Sequence, residues 1–213
     1  MIIMDLQVQK FSEIDVDCLN CGQPQSNAFG SQSINIQYNA NNLIIQCPKS
    51  FVYKGLQTSE YSKSYVDIYF DDKSHKSSKF IKFIQSVDDS IVKNALNNSV
   101  AWFGKQLDEK TIDEIYRPTL RSDEHGVYMR VKLPCKDDKF IGEIFDKYKQ
   151  LSQIEIIQPN CTVQIILECI GVYFVSREFG LTWKALQMKV SSAQVKKCLF
   201  VDDDDIQEFA LPI

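Results

Sequence analysis

"CTVQIILECIGVYFVSREFGLTWKALQMKV", residues 161–190, opens with fifteen residues too rich in β-branched and aromatic side chains to be helical. Gly171 interrupts that run where a β-bulge or sharp bend would fall. "SREFG" then supplies a turn, and "LTWKALQMKV" (181–190) reads as the hairpin partner. Working outward, "VYMRVKL" (127–133) alternates strictly, with Val127, Met129, Val131 and Leu133 on the inward face. "SYVDIYFDD" places Val66, Ile68 and Phe70 on one face and Tyr65, Asp67 and Tyr69 on the other. "INIQY" (34–38) and "NLIIQC" (42–47), joined by an Asn-rich turn, add two more strands.

Between these groups the period changes. Phe80, Phe83, Ile84, Val87, Ile91 and Ala95 recur at three and four, after serines able to cap, which predicts a helix over 79–97. "DEKTIDEIYRP" predicts a short second helix, with acids in its first turn and Pro118 beyond its end. The expected fold is therefore mainly β with a helical insert (α+β). It is a small antiparallel barrel or sandwich, with one long and one short helix inserted at about 78–118.

The length of 213 residues suits one core, so residues 1–200 are expected to form one domain, followed by an acidic tail at 201–213. Asp202, Asp203, Asp204, Asp205 and Glu208 lie within that tail. Removing those five charges from the net of −4 leaves about +1, so the body is near neutral and can gather cations on one face. The tail also carries Ile206, Phe209, Leu211 and Ile213. Seven cysteines at irregular spacing, with no basic, apolar leader at the N-terminus, predict free thiols in a reducing intracellular setting. No apolar run approaches a membrane span.

Catalytic motifs are missing. The sequence has no HExxH, no Gly-rich phosphate loop and no nucleophile elbow. His75 and His125 sit in polar turns, and the paired carboxylates read as surface. "CLNC" (18–21) is half of a zinc site with no second half, and two loop thiols are the better reading. No enzyme, cofactor or metal is expected.

Basic residues interleave with aromatics instead. The outward row of "VYMRVKL" is Tyr128, Arg130 and Lys132. Similar segments are "CPKSFVYKG" (Lys49, Phe51, Tyr53, Lys54), "WFGK" (Trp102, Phe103, Lys105), "YRPTLR" (Tyr116, Arg117, Arg121) and "TWKALQMK" (Trp183, Lys184, Lys189). Cations that track phosphates beside rings that stack on bases make a surface for single-stranded nucleic acid. A tethered polyanion would compete for that surface at high effective concentration, which gives the acidic tail a role.

The runs "NSVAWFGKQLDEKTIDEIYRPTLR" (98–121), "YMRVKLP" (128–134) and "ILECIGVYFVSREFGLTWKALQMKV" (166–190) resemble a protein family of large nucleo-cytoplasmic DNA viruses. "NLIIQCPKSFVYKGL" (42–56) and "SYVDIYF" (64–70) fall in the same order. That family is similar to phage-type single-stranded DNA-binding proteins. The resemblance implies an OB-fold barrel and sequence-independent binding of single-stranded DNA in replication, recombination and repair. It also implies polymerase and helicase as partners of the tail, through Asp202 to Asp205 and Phe209. The setting would be an infected host cell, in cytoplasm or nucleus, and a homodimer is compatible with it. By position it makes Lys49, Lys54, Trp102, Lys105, Arg117, Arg121 and Lys184 binding candidates, alongside Tyr128, Arg130 and Lys132 from the strand. Phage-type tails end in an aromatic, whereas here Phe209 is internal and Ile213 is last. The alternative is a structural β-sandwich of a viral particle, its rings packed against other proteins.

Overall fold

The alternating segments become a ring of five strands. β1 is in two pieces, Ile44–Gln46 and Ser50–Val52, followed by β2 (Ser64–Tyr69), β3 (Gly126–Leu133), β4 (Cys161–Val175) and β5 (Glu178–Ser191). The computed structural model describes residues 7–26, 32–59, 63–71, 73–136 and 139–191. The acidic-tail residues Asp202, Asp203, Asp204, Asp205 and Phe209 lie outside the described residues.

Pairing runs β1–β2–β3–β5–β4 and returns to β1, closing a five-stranded OB-type barrel. The β4–β5 hairpin forms as expected, with a tighter turn at Ser176–Arg177. Gly171 marks a register shift in β4 and has φ 139°. A Cβ there would lie 2.1 Å from the Ile34 carbonyl oxygen, so only glycine fits where Gln32–Ile34 crosses β4.

One expectation fails. The barrel is not wholly antiparallel: β3 and β5 run parallel, as do β5 and the short strands Tyr116–Arg117 and Glu143–Phe145. The chain leaves β3 through residues 134–160 and β4 before β5 returns beside it, and that crossover imposes the direction.

Inside the ring, Val66, Ile68, Met129, Val131 and Leu133 are buried as their alternation requires. Among the described residues the α-helices lie between β2 and β3: α1 (His75–Asn97), α2 (Ser99–Phe103) and α3 (Glu109–Ile115). α1 starts at Ser74, whose Oγ accepts from the Ser77 amide at 3.3 Å. Its six apolar residues at three-and-four spacing are all buried against the barrel. α3 is capped by Asp108, which accepts from the Thr111 amide at 2.8 Å. The sequence reading missed α2, a single turn ended by Gly104 at φ 74°.

Candidate nucleic-acid interface

α1 reaches the barrel surface through one buried carboxylate. Asp88 accepts from the Tyr116 hydroxyl (2.7 Å), the Thr119 amide (2.9 Å) and the Thr119 hydroxyl (2.7 Å). Those bonds hold Tyr116–Thr119 against α1 while Tyr116–Arg117 pairs with the start of β5. Gly180 allows this approach, since a Cβ there would meet the Arg117 carbonyl at 2.7 Å. Beyond Thr119 the strand Leu120–Asp123 pairs with β3 and sets Arg121 opposite Tyr128.

The result is a groove of about 250 Å³ lined by Arg117, Arg121, Arg130 and Lys132, with Tyr173 and Trp183 among its walls and no carboxylate. Four of the sequence candidates therefore meet on one surface. Their electrostatics differ. Arg117 is paired with Glu178. Arg130 makes a two-pronged contact with Asp67 at 2.8 and 2.9 Å and lies 4.1 Å over the Tyr65 ring, which fixes its guanidinium. Lys132 has no carboxylate within ion-pair distance among the described residues. Its ammonium donates to Thr182 Oγ1 at 3.3 Å, and burial together with Lys63 pushes its pKa below the ordinary lysine value. Arg121 is likewise without a carboxylate among the described residues. Lys132 and Arg121 thus carry the positive charge left for an anion.

Lys184 sits directly beside Lys132 across the β3–β5 pair, but its ammonium is held by Glu168 at 2.7 Å. Lys105 and Arg177 line a separate hollow that shares no residue with this groove. Lys49 is exposed ahead of Ser50 and does not line the groove. Trp102 requires correction. It is 4% exposed and packs edge-on against Phe174 and Phe179, so its ring belongs to the core and is not free to stack on a base.

Next to the groove the outer row continues as rings. Tyr128 of β3 stacks on Tyr69 of β2 at 5.0 Å, and Tyr69 lies opposite Phe51 of β1. Tyr53 meets Tyr69 edge-on at 4.9 Å and stacks face-on with His125 at 4.6 Å, while Phe51 stacks beside Tyr53. Asp123 anchors the cluster, accepting from the Tyr69 hydroxyl at 2.7 Å and from the His125 amide at 2.9 Å. The Tyr69 hydrogen bond holds the Asp123 carboxyl below its usual range, with His125 and Lys54 adding to the effect. Burial and Asp123 push the Tyr69 hydroxyl upward, so it remains a donor. Phe51 is 42% exposed, whereas Tyr69 is buried beneath the others. Alternation in β2 gave Tyr69 its face, but Tyr53 and His125 come from a loop and a hairpin tip, where no period exists to read.

Cys18 is exposed and Cys21 half-buried, and no group of three or more metal-ligating side chains occurs among the described residues.

The barrel with its inter-strand helices defines the class of fold. The chain itself belongs to a family of unknown function, DUF5871, whose model matches residues 64–202. No curated protein matches the sequence. Among solved structures it is similar to gp2.5, a single-stranded DNA-binding protein encoded by bacteriophage T7. The TM-score is 0.53 at 10% identity, over 81% of this chain and 99% of that one. The single-stranded DNA-binding protein of bacteriophage Enc34 matches at TM-score 0.45 and 10% identity, over 87% and 98% of the two chains. The same protein in complex with single-stranded DNA matches at 0.45 and 9%, over 80% and 95%. At 10% identity the first likeness establishes the fold.

Proposed function

We propose that this protein is a non-catalytic, largely sequence-independent single-stranded DNA-binding protein. One observation carries the reading: Arg117, Arg121, Arg130 and Lys132 converge on one groove beside a cluster of stacked rings, with Arg121 and Lys132 in no ion pair among the described residues. In OB-type barrels the face of strands 2 and 3, together with the loops after strands 1 and 4, binds oligonucleotides. Here that face carries Tyr128, Arg130 and Lys132, the first loop carries Tyr53 and Lys54, and the second carries Arg177. Likeness of fold to gp2.5 supports the same reading. Binding of this kind serves viral replication, recombination and repair in an infected cell. The acidic tail there competes with DNA and contacts polymerase or helicase.

The test is anisotropy of a labelled oligo-dT across a KCl series. Wild type should bind with an affinity that falls with salt by about 0.7 log units per log unit for each phosphate contacted. Arg121→Ala with Lys132→Ala should lower the affinity roughly 10-fold at low salt and flatten the slope by about 1.4. Binding that ignores salt, or no binding at all at 50 mM KCl, would sink the proposal. Deleting residues 201–213 should tighten binding, because it removes the competing polyanion.

A further inference from the structure

Away from the first groove lie two more, of about 270 and 570 Å³, that share Gln46 in β1 and so adjoin. One is lined by Lys149 and Lys189, the other by Lys10, His75, Lys76 and Lys79. Neither has a carboxylate in its lining, and neither shares a residue with the first groove. On a body that is near neutral once the tail's acids are set aside, this is a segregation of cations, drawn from four separate segments. Lys10 is paired with Glu13 at 2.9 Å; Lys76, Lys79, Lys149 and Lys189 have no carboxylate within ion-pair distance among the described residues. The α1 lysines also oppose the dipole of their helix, whose first turn holds no acid, so the arrangement works against stability. Half-buried Phe11 and Phe145, with the amides of Gln46 and Gln164, complete walls that offer a strand both apolar and hydrogen-bonding contacts.

We infer that these adjoining grooves form a second track for the phosphate backbone of single-stranded DNA, occupied once a strand extends past the first groove. The inference rests on the proposed function and enlarges its site. A single OB barrel covers about 4–16 nucleotides, so an oligo-dT of about 8 residues tests the first groove alone, and one of about 30 reaches both.

The experiment compares the full-length protein with its Lys76→Gln/Lys79→Gln/Lys149→Gln/Lys189→Gln variant on both oligomers across a salt series. The long oligomer should bind the variant about 10-fold more weakly at low salt, with a slope flatter by about 2 to 3. The short oligomer should bind both proteins alike. Unchanged affinity and slope on the long oligomer would overturn the second track, and so would an equal loss on both lengths. Failure of wild type to bind either oligomer would overturn the first reading instead. Lys76→Glu with Lys79→Glu guards against misfolding, since acids in the first turns of a helix favour it. That pair should melt no lower than wild type and still lose affinity for the long oligomer alone.

Discussion

Replacing Phe51 and Tyr128 together by alanine is expected to weaken oligo-dT binding by roughly 100-fold while leaving the salt slope of binding unchanged. The size follows from stacking, worth about 1–3 kcal/mol per base by alanine substitution, with about 1.4 kcal/mol for each factor of ten. The selectivity follows from the kind of contact, because a ring stacked on a base pairs with no phosphate and releases no counterion. Cation substitutions at Arg121 and Lys132 should do the reverse, changing slope and affinity together. Phe51 is the exposed ring of β1, and Tyr128 stacks on Tyr69, which is already buried. Removing these two rings therefore takes two stacking faces from the platform and leaves Tyr53 on His125, and Asp123 bonded to Tyr69, in place. Tyr128→Phe should retain nearly all of the affinity, since it keeps the stacking face. Isothermal titration of the three proteins, with circular dichroism to show that each is folded, measures this. An alanine pair that binds like wild type would mean that the rings only pack against one another.

The parts of this molecule that could be read in advance are those where one period repeats long enough to be unambiguous. The β4–β5 hairpin, the alternation of Met129, Val131 and Leu133, and the three-and-four spacing of α1 all fall where the sequence puts them. The parallel neighbourhood of β3 and β5 was not readable, because it depends on which strands meet after a crossover and leaves no mark on either strand. Burial of Trp102 was obscured by composition: "WFGK" looks like an exposed basic-aromatic motif, yet α2 turns the indole onto Phe174 and Phe179. The groove was half legible. Tyr128, Arg130 and Lys132 share a face by alternation, but Arg117 and Arg121 reach it through long-range pairing with β5 and β3 and through the contact that Asp88 makes across 31 residues. A sequence also shows no pairing, so nothing marked Lys184 as held by Glu168 while Lys132 is left without a carboxylate.

That contact gives the second large effect, on stability. Asp88→Ala is expected to cost about 3–5 kcal/mol, because it strands the Tyr116 hydroxyl, the Thr119 amide and the Thr119 hydroxyl. Each orphaned buried group costs about 1–3 kcal/mol, less where water enters the space. For a chain of this size that corresponds to a melting temperature lower by roughly 10–15 °C. Asp88→Asn should cost less, since its carbonyl oxygen can still accept from the hydroxyls while its amide faces the Thr119 N–H without a bond. The pH dependence separates the carboxylate's charge from its hydrogen bonds. Burial holds the Asp88 pKa above the ordinary aspartate value, despite three donors. The folded state then binds this proton more tightly than the unfolded chain does. The contribution is fully present below the unfolded pKa and is lost as pH rises through the folded one. Wild type should therefore gain on Asp88→Asn in melting temperature as pH falls from 7 towards 4. A gap that closes or reverses on acidification would mean that the three donors outweigh desolvation and that Asp88 is held ionised. In either case the groove depends on this residue, because Arg117 and Arg121 flank the Thr119 that it anchors. At a temperature where Asp88→Ala is still folded, it should bind oligo-dT with a flatter salt slope than wild type, although Asp88 itself touches no phosphate.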